Sequence, residues 1–133
     1  MSGAGGGSQK GESRKLVLVV DDDPHIRSIV SRALSPTYAV REAADGLLAA
    51  DALTVPPIPD LIILDIMMPN ADGITFAATL KANPRYKSLP IIFLTARSSP
   101  ADLVKGIQVG ARAYLTKPFK LEELRQKVAK VLG

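Results

Sequence analysis

The chain has 133 residues, of which 47% are hydrophobic, and it carries a net charge of +4 and no cysteine. This length predicts a single domain with enough apolar residues for a core. A sequence without cysteine excludes disulfides, thiolate metal sites and a cysteine nucleophile. Apolar runs stay well below the roughly 18 residues that a membrane span needs, and the first residues lack the pattern of a signal peptide. We therefore expect a cytoplasmic protein without membrane contact.

Charge is unevenly distributed along the chain. Residues 16–80 hold nine acidic and three basic side chains, whereas residues 81–133 hold eleven basic and three acidic ones. This asymmetry indicates two surfaces with different tasks, although a basic stretch is also typical of a solvated helix face.

The chain divides into a short tail and one larger unit. Residues 1–15 are rich in Gly and Ser and hold almost no hydrophobic side chain. Such a composition cannot bury enough apolar surface to order itself, so we expect a disordered tail over 1–15 and a folded domain over 16–133.

Five apolar runs alternate with five helical patterns. The runs predict strands at 16–20, 38–43, 61–64, 91–94 and 113–115. Asp23 is the expected N-cap of the first helical pattern, with Pro24 as its first residue, and Asp45 is the expected cap of the second. The other helical patterns begin after the loop that contains Gly73, near Ser99, which with Asp102 resembles a capping box, and at Leu121. Strand and helix in fivefold alternation predict an α/β fold: a three-layer, doubly wound (βα)5 unit with a five-stranded parallel sheet.

Polar residues collect where the predicted strands end. Asp21, Asp22 and Asp23 follow the first strand, Asp65 the third, Thr95 the fourth and Lys117 the fifth. Because parallel strands end at the same edge of a sheet, we expect these side chains to lie together.

This set has a coherent chemistry. Clustered carboxylates repel one another unless a hard cation such as Mg²⁺ lies between them. A carboxylate can act as a nucleophile and form an aspartyl-phosphate, while a Lys ammonium and a Thr hydroxyl hold the phosphoryl oxygens. Taken singly, each of these residues has an ordinary alternative as a helix cap, a loop residue or a surface lysine. Their joint order and spacing favour a phosphoryl site.

Four segments spread over most of the chain carry the motifs of one known domain family. They are LVLVVDDDP at 16–24, LIILDIMMPNADG at 61–73, IIFLTA at 91–96 and GARAYLTKPF at 110–119. The chain from about residue 16 to 132 thereby resembles the receiver domain of two-component response regulators. The resemblance implies a flavodoxin-like fold with strand order 2-1-3-4-5.

The resemblance also implies a role for each matching residue. Asp65 would be the phosphoacceptor, and Thr95 and Lys117 would contact the phosphoryl group. Asp21, Asp22, Asp65 and the backbone carbonyl of Met67 would form the site for Mg²⁺ or Mn²⁺. Thr95 and Tyr114 would form the switch, and the Lys117-Pro118 peptide bond would be cis. Such a protein is not a conventional enzyme, since it catalyses phosphorylation and dephosphorylation of its own Asp65.

Partners follow from the same resemblance. The phosphoryl donor would be a sensor histidine kinase or a histidine phosphotransfer protein. An output partner of unknown identity would bind the face made by the fourth helix, the fifth strand and the last helix, and we expect no direct binding to nucleic acid. In one large family of DNA-binding regulators this face dimerises through acidic residues beside the fifth strand. Here Arg112 and Ala113 stand there, which argues against that mode of dimerisation. A monomer and a phosphorylation-dependent homodimer both stay open, as do a stand-alone receiver and a fragment.

The lifetime of the phosphorylated state depends on two further positions. The residues two places after the phosphoacceptor and two places after the threonine lie, in receivers, over the path of the attacking water. Here they are Met67 and Arg97. Methionine has no donor or strong acceptor with which to hold a water, and arginine only donates. We expect slower self-dephosphorylation than in receivers with an amide and a carboxylate at these positions, unless both side chains point to solvent.

Two other readings of the sequence compete with a receiver. Asp21-Asp22-Asp23 after a strand also fits the Asp-x-Asp signature of haloacid-dehalogenase-type phosphatases, in which Asp21 would be the nucleophile. That reading leaves Asp65 unexplained. A phosphorylation-independent binding module on the same fold is the other reading, and the intact acidic set argues against it.

Overall fold

Five parallel strands form the central sheet in the computed structural model, which describes residues 14–68, 71–96 and 100–133. The strands are β1 (Leu16–Val20), β2 (Ala39–Ala43), β3 (Leu61–Asp65), β4 (Ile91–Thr95) and β5 (Ala113–Thr116). They lie in the order β2-β1-β3-β4-β5, all neighbours being parallel. The predicted α/β fold with strand order 2-1-3-4-5 is therefore confirmed.

Five helices connect the strands. They are α1 (Pro24–Leu34), α2 (Gly46–Leu53), α3 (Gly73–Ala82), α4 (Pro100–Gln108) and α5 (Leu121–Leu132). Three of them begin at an aspartate whose side chain accepts a backbone N–H: Asp23 for α1, Asp45 for α2 and Asp72 for α3. An aspartate at this position satisfies one of the unpaired donors of the first turn, and it fixes where each helix starts relative to the strand before it.

Two apolar clusters fill the space between the sheet and the helices. Leu18 and Val20 of β1 point to one face, where they join residues of α2 and α3. Val17 and Val19 point to the other face, where they join residues of α1 and α5. Because β1, β3 and β4 are fully buried along their lengths, the sheet is covered on both sides, as its near-continuous apolar runs predict.

Three details differ from the sequence-based expectations or lie beyond them. A two-stranded antiparallel ribbon, Met67–Met68 with Ala71–Asp72, stands where we expected only a loop. Arg14 and Lys15, which we assigned to the tail, donate hydrogen bonds to the carbonyl oxygens of Ser35 and Leu132. The expected disorder of residues 1–13 and the capping role of Ser99 fall outside the described residues. None of the helices in the described part of the chain is long and apolar enough to cross a membrane.

Candidate functional site

The carboxyl-terminal edge of the sheet brings the predicted polar residues together. Asp65 and Thr95 are the last residues of β3 and β4, and both are buried. Asp21 follows β1 directly and is fully buried, while Asp22 beside it is exposed. Lys117 follows β5, and its side chain is mostly buried. The five residues come from four adjacent strands because the strand order places β1, β3, β4 and β5 side by side.

Three carboxylates form the centre of this edge. One carboxylate oxygen each of Asp21, Asp22 and Asp65 lies within 4.8 Å of the other two. The ammonium of Lys117 lies 2.7 Å from Asp21 Oδ2 and 3.6 Å from Asp65 Oδ2. Among the described residues at this edge, the Lys117 ammonium therefore faces a cluster of three carboxylates.

Backbone N–H groups hold two of these carboxylates in place. Asp23 N donates to Asp21 Oδ1 at 2.9 Å, and Met67 N donates to Asp65 Oδ1 at 3.1 Å. The second oxygen of Asp21, Oδ2, is also buried, but it is partnered by a charge and not by a backbone N–H of the described residues. Its contact is the ion pair with Lys117, so each carboxylate has one oxygen fixed by backbone and one turned towards charge.

Burial and neighbouring charge make the carboxyl of Asp65 a weak acid. Burial, with the charge of Asp21 and a smaller effect of Asp22, raises the pKa of Asp65 to about 7. Lys117 and the Met67 N–H lower this pKa but do not cancel the increase. Burial alone would lower the pKa of Lys117. The hydrogen bond and charge of Asp21 and the charge of Asp65 outweigh this effect, so the pKa of Lys117 lies above its usual value. Lys117 therefore stays protonated and pairs with the negative charge of Asp21 and Asp65.

These residues fit a divalent cation bound through oxygen. Mg²⁺ commonly binds proteins through one or two carboxylates and keeps several waters. The three converging carboxylates offer such ligands, and the buried Asp21 Oδ2 is held by the Lys117 ammonium and not by a backbone N–H of the described residues. A cation at this place would also offset the repulsion that raises the pKa of Asp65.

The proposed switch residues lie on neighbouring strands. Thr95 ends β4, and Tyr114 lies in β5, where its ring stacks on that of Phe93 with centroids 5.8 Å apart. The Tyr114 ring also covers Gly106 of α4 so closely that a Cβ atom there would overlap the Tyr114 hydroxyl. Tyr114 thus connects β4 to α4. The peptide bond between Lys117 and Pro118 is cis, as the resemblance implied.

Two further expectations concern the residues around the phosphoryl path. The side chain of Met67 is 70% exposed, whereas Arg97 lies outside the described residues. Met67 N contacts the carboxylate of Asp65, which places the start of the ribbon directly beside the predicted phosphoacceptor. The role of the Met67 carbonyl as a metal ligand stays a prediction.

Sequence reasoning missed two residues that shape the site. A Cβ atom on Gly73 would overlap the carbonyl oxygen of Asp65 and lie 2.9 Å from Ile66 Cα. Arg27 donates from Nη1 to the carbonyl oxygen of Asp21 at 2.7 Å. The glycine after Asp72 signals a tight helix start, although not what it touches. No local pattern indicates the contact of Arg27.

Comparison with known proteins agrees with this geometry. A family model described as a response regulator receiver domain matches residues 17–129. The chain is 41% identical over 117 residues to the DNA-binding dual master transcriptional regulator RpaA of Synechocystis, and 42% identical over 119 residues to the response regulator Rre1 of the same organism. The alignments cover 87% and 88% of this chain but 48% and 51% of those relatives, so the chain spans about half their length.

Solved structures give the same result. The chemotaxis protein CheY4 of Vibrio cholerae superposes with a TM-score of 0.83 at 38% identity, covering 90% of this chain and 100% of that one. A putative response regulator from Chloroflexus aurantiacus also reaches a TM-score of 0.83, at 34% identity, covering 90% of this chain and 98% of that one.

Proposed function

Because this chain belongs to the response regulator receiver family of two-component systems, we propose that Asp65 accepts a phosphoryl group in a reaction that depends on Mg²⁺ or Mn²⁺. The observation that carries the proposal is the meeting of three carboxylates and one lysine at the ends of adjacent strands. The donor is a phosphohistidine on a sensor kinase or a phosphotransfer protein. The new P–O bond forms at Asp65 as the P–N bond of the donor breaks.

Each residue has a separate task in this transfer. The ionised carboxylate of Asp65 attacks, and the Met67 N–H that contacts Oδ1 orients it. The ammonium of Lys117, already 3.6 Å from Asp65 Oδ2, pairs with the incoming phosphoryl oxygens. Thr95 offers its hydroxyl from the end of β4. Asp21, Asp22, Asp65 and the Met67 carbonyl would hold a divalent cation, which would neutralise charge on the transferred group when bound.

The cation requirement gives a direct test of the proposed site. Asp22→Asn is expected to raise the Mg²⁺ dissociation constant at least about tenfold, because a ligand loses its charge. Asp23→Asn is the matched control, since Asp23 stands next to the cluster and caps α1 through an oxygen that asparagine keeps. Calorimetric Mg²⁺ titration measures both. Equal Mg²⁺ affinity in the two variants would contradict the assignment of Asp22.

The switch is expected to act through Tyr114. The phosphorylated side chain brings negative charge and acceptor oxygens to the site, Thr95 moves towards them, and Tyr114 turns inward and shifts α4. The output face, which we define as α4, β5 and α5, changes as a result. A phosphorylation-independent module would show no such change.

Gly106→Ala is expected to weaken this switch without unfolding the protein. The new methyl group occupies the place of the Tyr114 hydroxyl. The Tyr114 side chain can rotate away at a lower cost than a backbone shift, and it then loses the contact through which it would move α4. Alanine also favours a helix over glycine by about 1 kcal/mol. Amide and ring NMR shifts with Mg²⁺ and beryllofluoride measure the response, with exposed Gln108→Ala of the same helix as control. A Gly106→Ala response as large as the parent's would contradict this coupling.

We also propose that Met67 and Arg97 make the phosphorylated state long-lived. Neither side chain can accept a hydrogen bond strongly from the attacking water. Met67→Asn/Arg97→Glu is therefore expected to lose phosphoryl label several-fold faster than the parent. Label loss is followed over time after the donor is removed. An unchanged rate in the double variant would show that these side chains do not control hydrolysis.

Location and assembly follow from the same proposal. A cytoplasmic protein would meet the kinase domain that supplies its phosphoryl group. The protein would then present its output face to the partner either as a monomer or as a phosphorylation-dependent homodimer. Light scattering with and without beryllofluoride separates these two states.

A further inference from the structure

Arg27 connects the loop after β1, which holds Asp21 and Asp22, to the edge strand β2. Its Nη1 donates to the carbonyl oxygen of Asp21 at 2.7 Å, and its Nε lies 3.3 Å from Glu42 Oε1. Ser31, one turn further along α1, donates from Oγ to the second carboxylate oxygen of Glu42 at 2.7 Å. The Arg27 side chain is only 18% exposed. A continuous polar chain therefore runs from Ser31 through Glu42 and Arg27 to the backbone of Asp21.

The backbone of Asp21 is held on both of its polar groups. Its N–H donates to the carbonyl oxygen of Ala43 at 3.2 Å, and its carbonyl accepts from Arg27. That carbonyl belongs to the peptide unit that leads into Asp22. Because a peptide unit is planar, a bond to its oxygen fixes the direction in which the chain enters Asp22.

We propose that Arg27 is a positioning residue for the cation site, one that orients the peptide between Asp21 and Asp22 so that both carboxylates face Asp65. The proposal rests on the proposed Mg²⁺ site and extends it beyond the ligands themselves. Groups that orient metal ligands commonly contribute about 10–100-fold to metal affinity. Glu42 and Ser31 act one step further out, because they hold the guanidinium.

Geometry and charge predict opposite results for the loss of Arg27. A cation near the site repels Mg²⁺, so a purely electrostatic role would make its removal tighten binding. A positioning role makes its removal weaken binding. The pairing of Arg27 with Glu42 offsets much of its charge, which favours the second outcome.

The test compares Arg27→Gln with Arg32→Gln. Both variants remove one arginine charge from α1, but Arg32 is exposed and makes no ion pair among the described residues. Calorimetric titration with Mg²⁺ alone is expected to give a dissociation constant about tenfold higher for Arg27→Gln and an unchanged one for Arg32→Gln. The rate of labelling by acetyl phosphate should approach the parent's at saturating Mg²⁺. An unchanged or tighter Mg²⁺ affinity in Arg27→Gln would overturn the proposal.

Two further variants keep the test decisive. Arg27→Lys keeps the charge, but one ammonium cannot replace a planar fork that contacts Asp21 and Glu42 together, so weaker Mg²⁺ binding is expected there as well. Glu42→Gln removes the acidic partner and should weaken Mg²⁺ binding by a smaller factor. Urea unfolding confirms that each variant is folded. A parent that binds no Mg²⁺ would overturn both this inference and the proposed function, whereas a parent that binds and unaffected Arg27 variants would overturn this inference alone.

Discussion

Asp65→Asn is expected to abolish phosphoryl acceptance and to leave a folded protein. The amide has nearly the shape of the carboxylate and can still accept the Met67 N–H, but it carries no charge with which to attack phosphorus. Labelling with acetyl phosphate and Mg²⁺ should fall to background. Asp51→Asn, an exposed change on α2, should label like the parent. Full-rate labelling of Asp65→Asn would show that another residue is the acceptor.

The same variant has an expected effect on stability, with a sign set by the raised pKa. Without metal the Asp65 pKa is about 7 in the folded protein against 3.8 for the ordinary carboxyl. As pH rises, the unfolded chain therefore loses this proton first, and the parent's unfolding free energy falls between about pH 4 and pH 7. In EDTA, the unfolding free energy of Asp65→Asn should exceed that of the parent by roughly 4 kcal/mol at about pH 8 and match it at about pH 4. A variant less stable than the parent at the higher pH would contradict this account.

Gly73→Ala is expected to damage both stability and the site. The added methyl group would overlap the Asp65 carbonyl oxygen and crowd the backbone of Ile66. Both neighbours are main-chain atoms of the β3 end, so neither can rotate away. Overpacking of this kind costs typically 1–3 kcal/mol, and the backbone contact places Gly73→Ala at about 3 kcal/mol. The melting temperature should fall by about 10 °C.

Gly73→Ala is also expected to displace Asp65, because the added methyl group overlaps its carbonyl oxygen, and thereby to slow phosphoryl acceptance. Labelling at a temperature where the variant is folded should be much slower than in the parent. Thr75→Ala is the control, because Thr75 is exposed on the same helix and surface changes usually stay within about 0.5 kcal/mol. A Gly73→Ala protein that melts and labels like Thr75→Ala would show that the loop relaxes freely.

Local sequence signals were enough for much of the fold. Asp23 and Asp45 were expected to cap helices, and each does so through a backbone hydrogen bond. The short buried runs of β1 and β4 were predicted from their apolar residues alone. The order of the strands came only from the family resemblance, since pairing depends on contacts between residues far apart in the chain.

The parts that sequence reasoning missed are all set by tertiary contacts. The site residues were found because strand ends converge in any parallel sheet. The contacts of Arg27 with Asp21 and Glu42 depend on how α1 lies over β2. The close approach of Gly73 to Asp65 depends on a ribbon whose two-residue strands have no periodic pattern to read. The resemblance implied a set of metal ligands but not the neighbouring residues that contact them.

Mapping the phosphoryl label to one residue tests the central claim most directly. The protein is labelled with acetyl phosphate and Mg²⁺, the acyl phosphate is trapped by borohydride reduction, and peptides are sequenced by mass spectrometry. The account predicts a single modified residue, Asp65, and no modification of the Asp65→Asn variant. Modification of Asp21 instead would assign the chemistry to a phosphatase-like nucleophile after β1 and would contradict the receiver mechanism proposed for this chain.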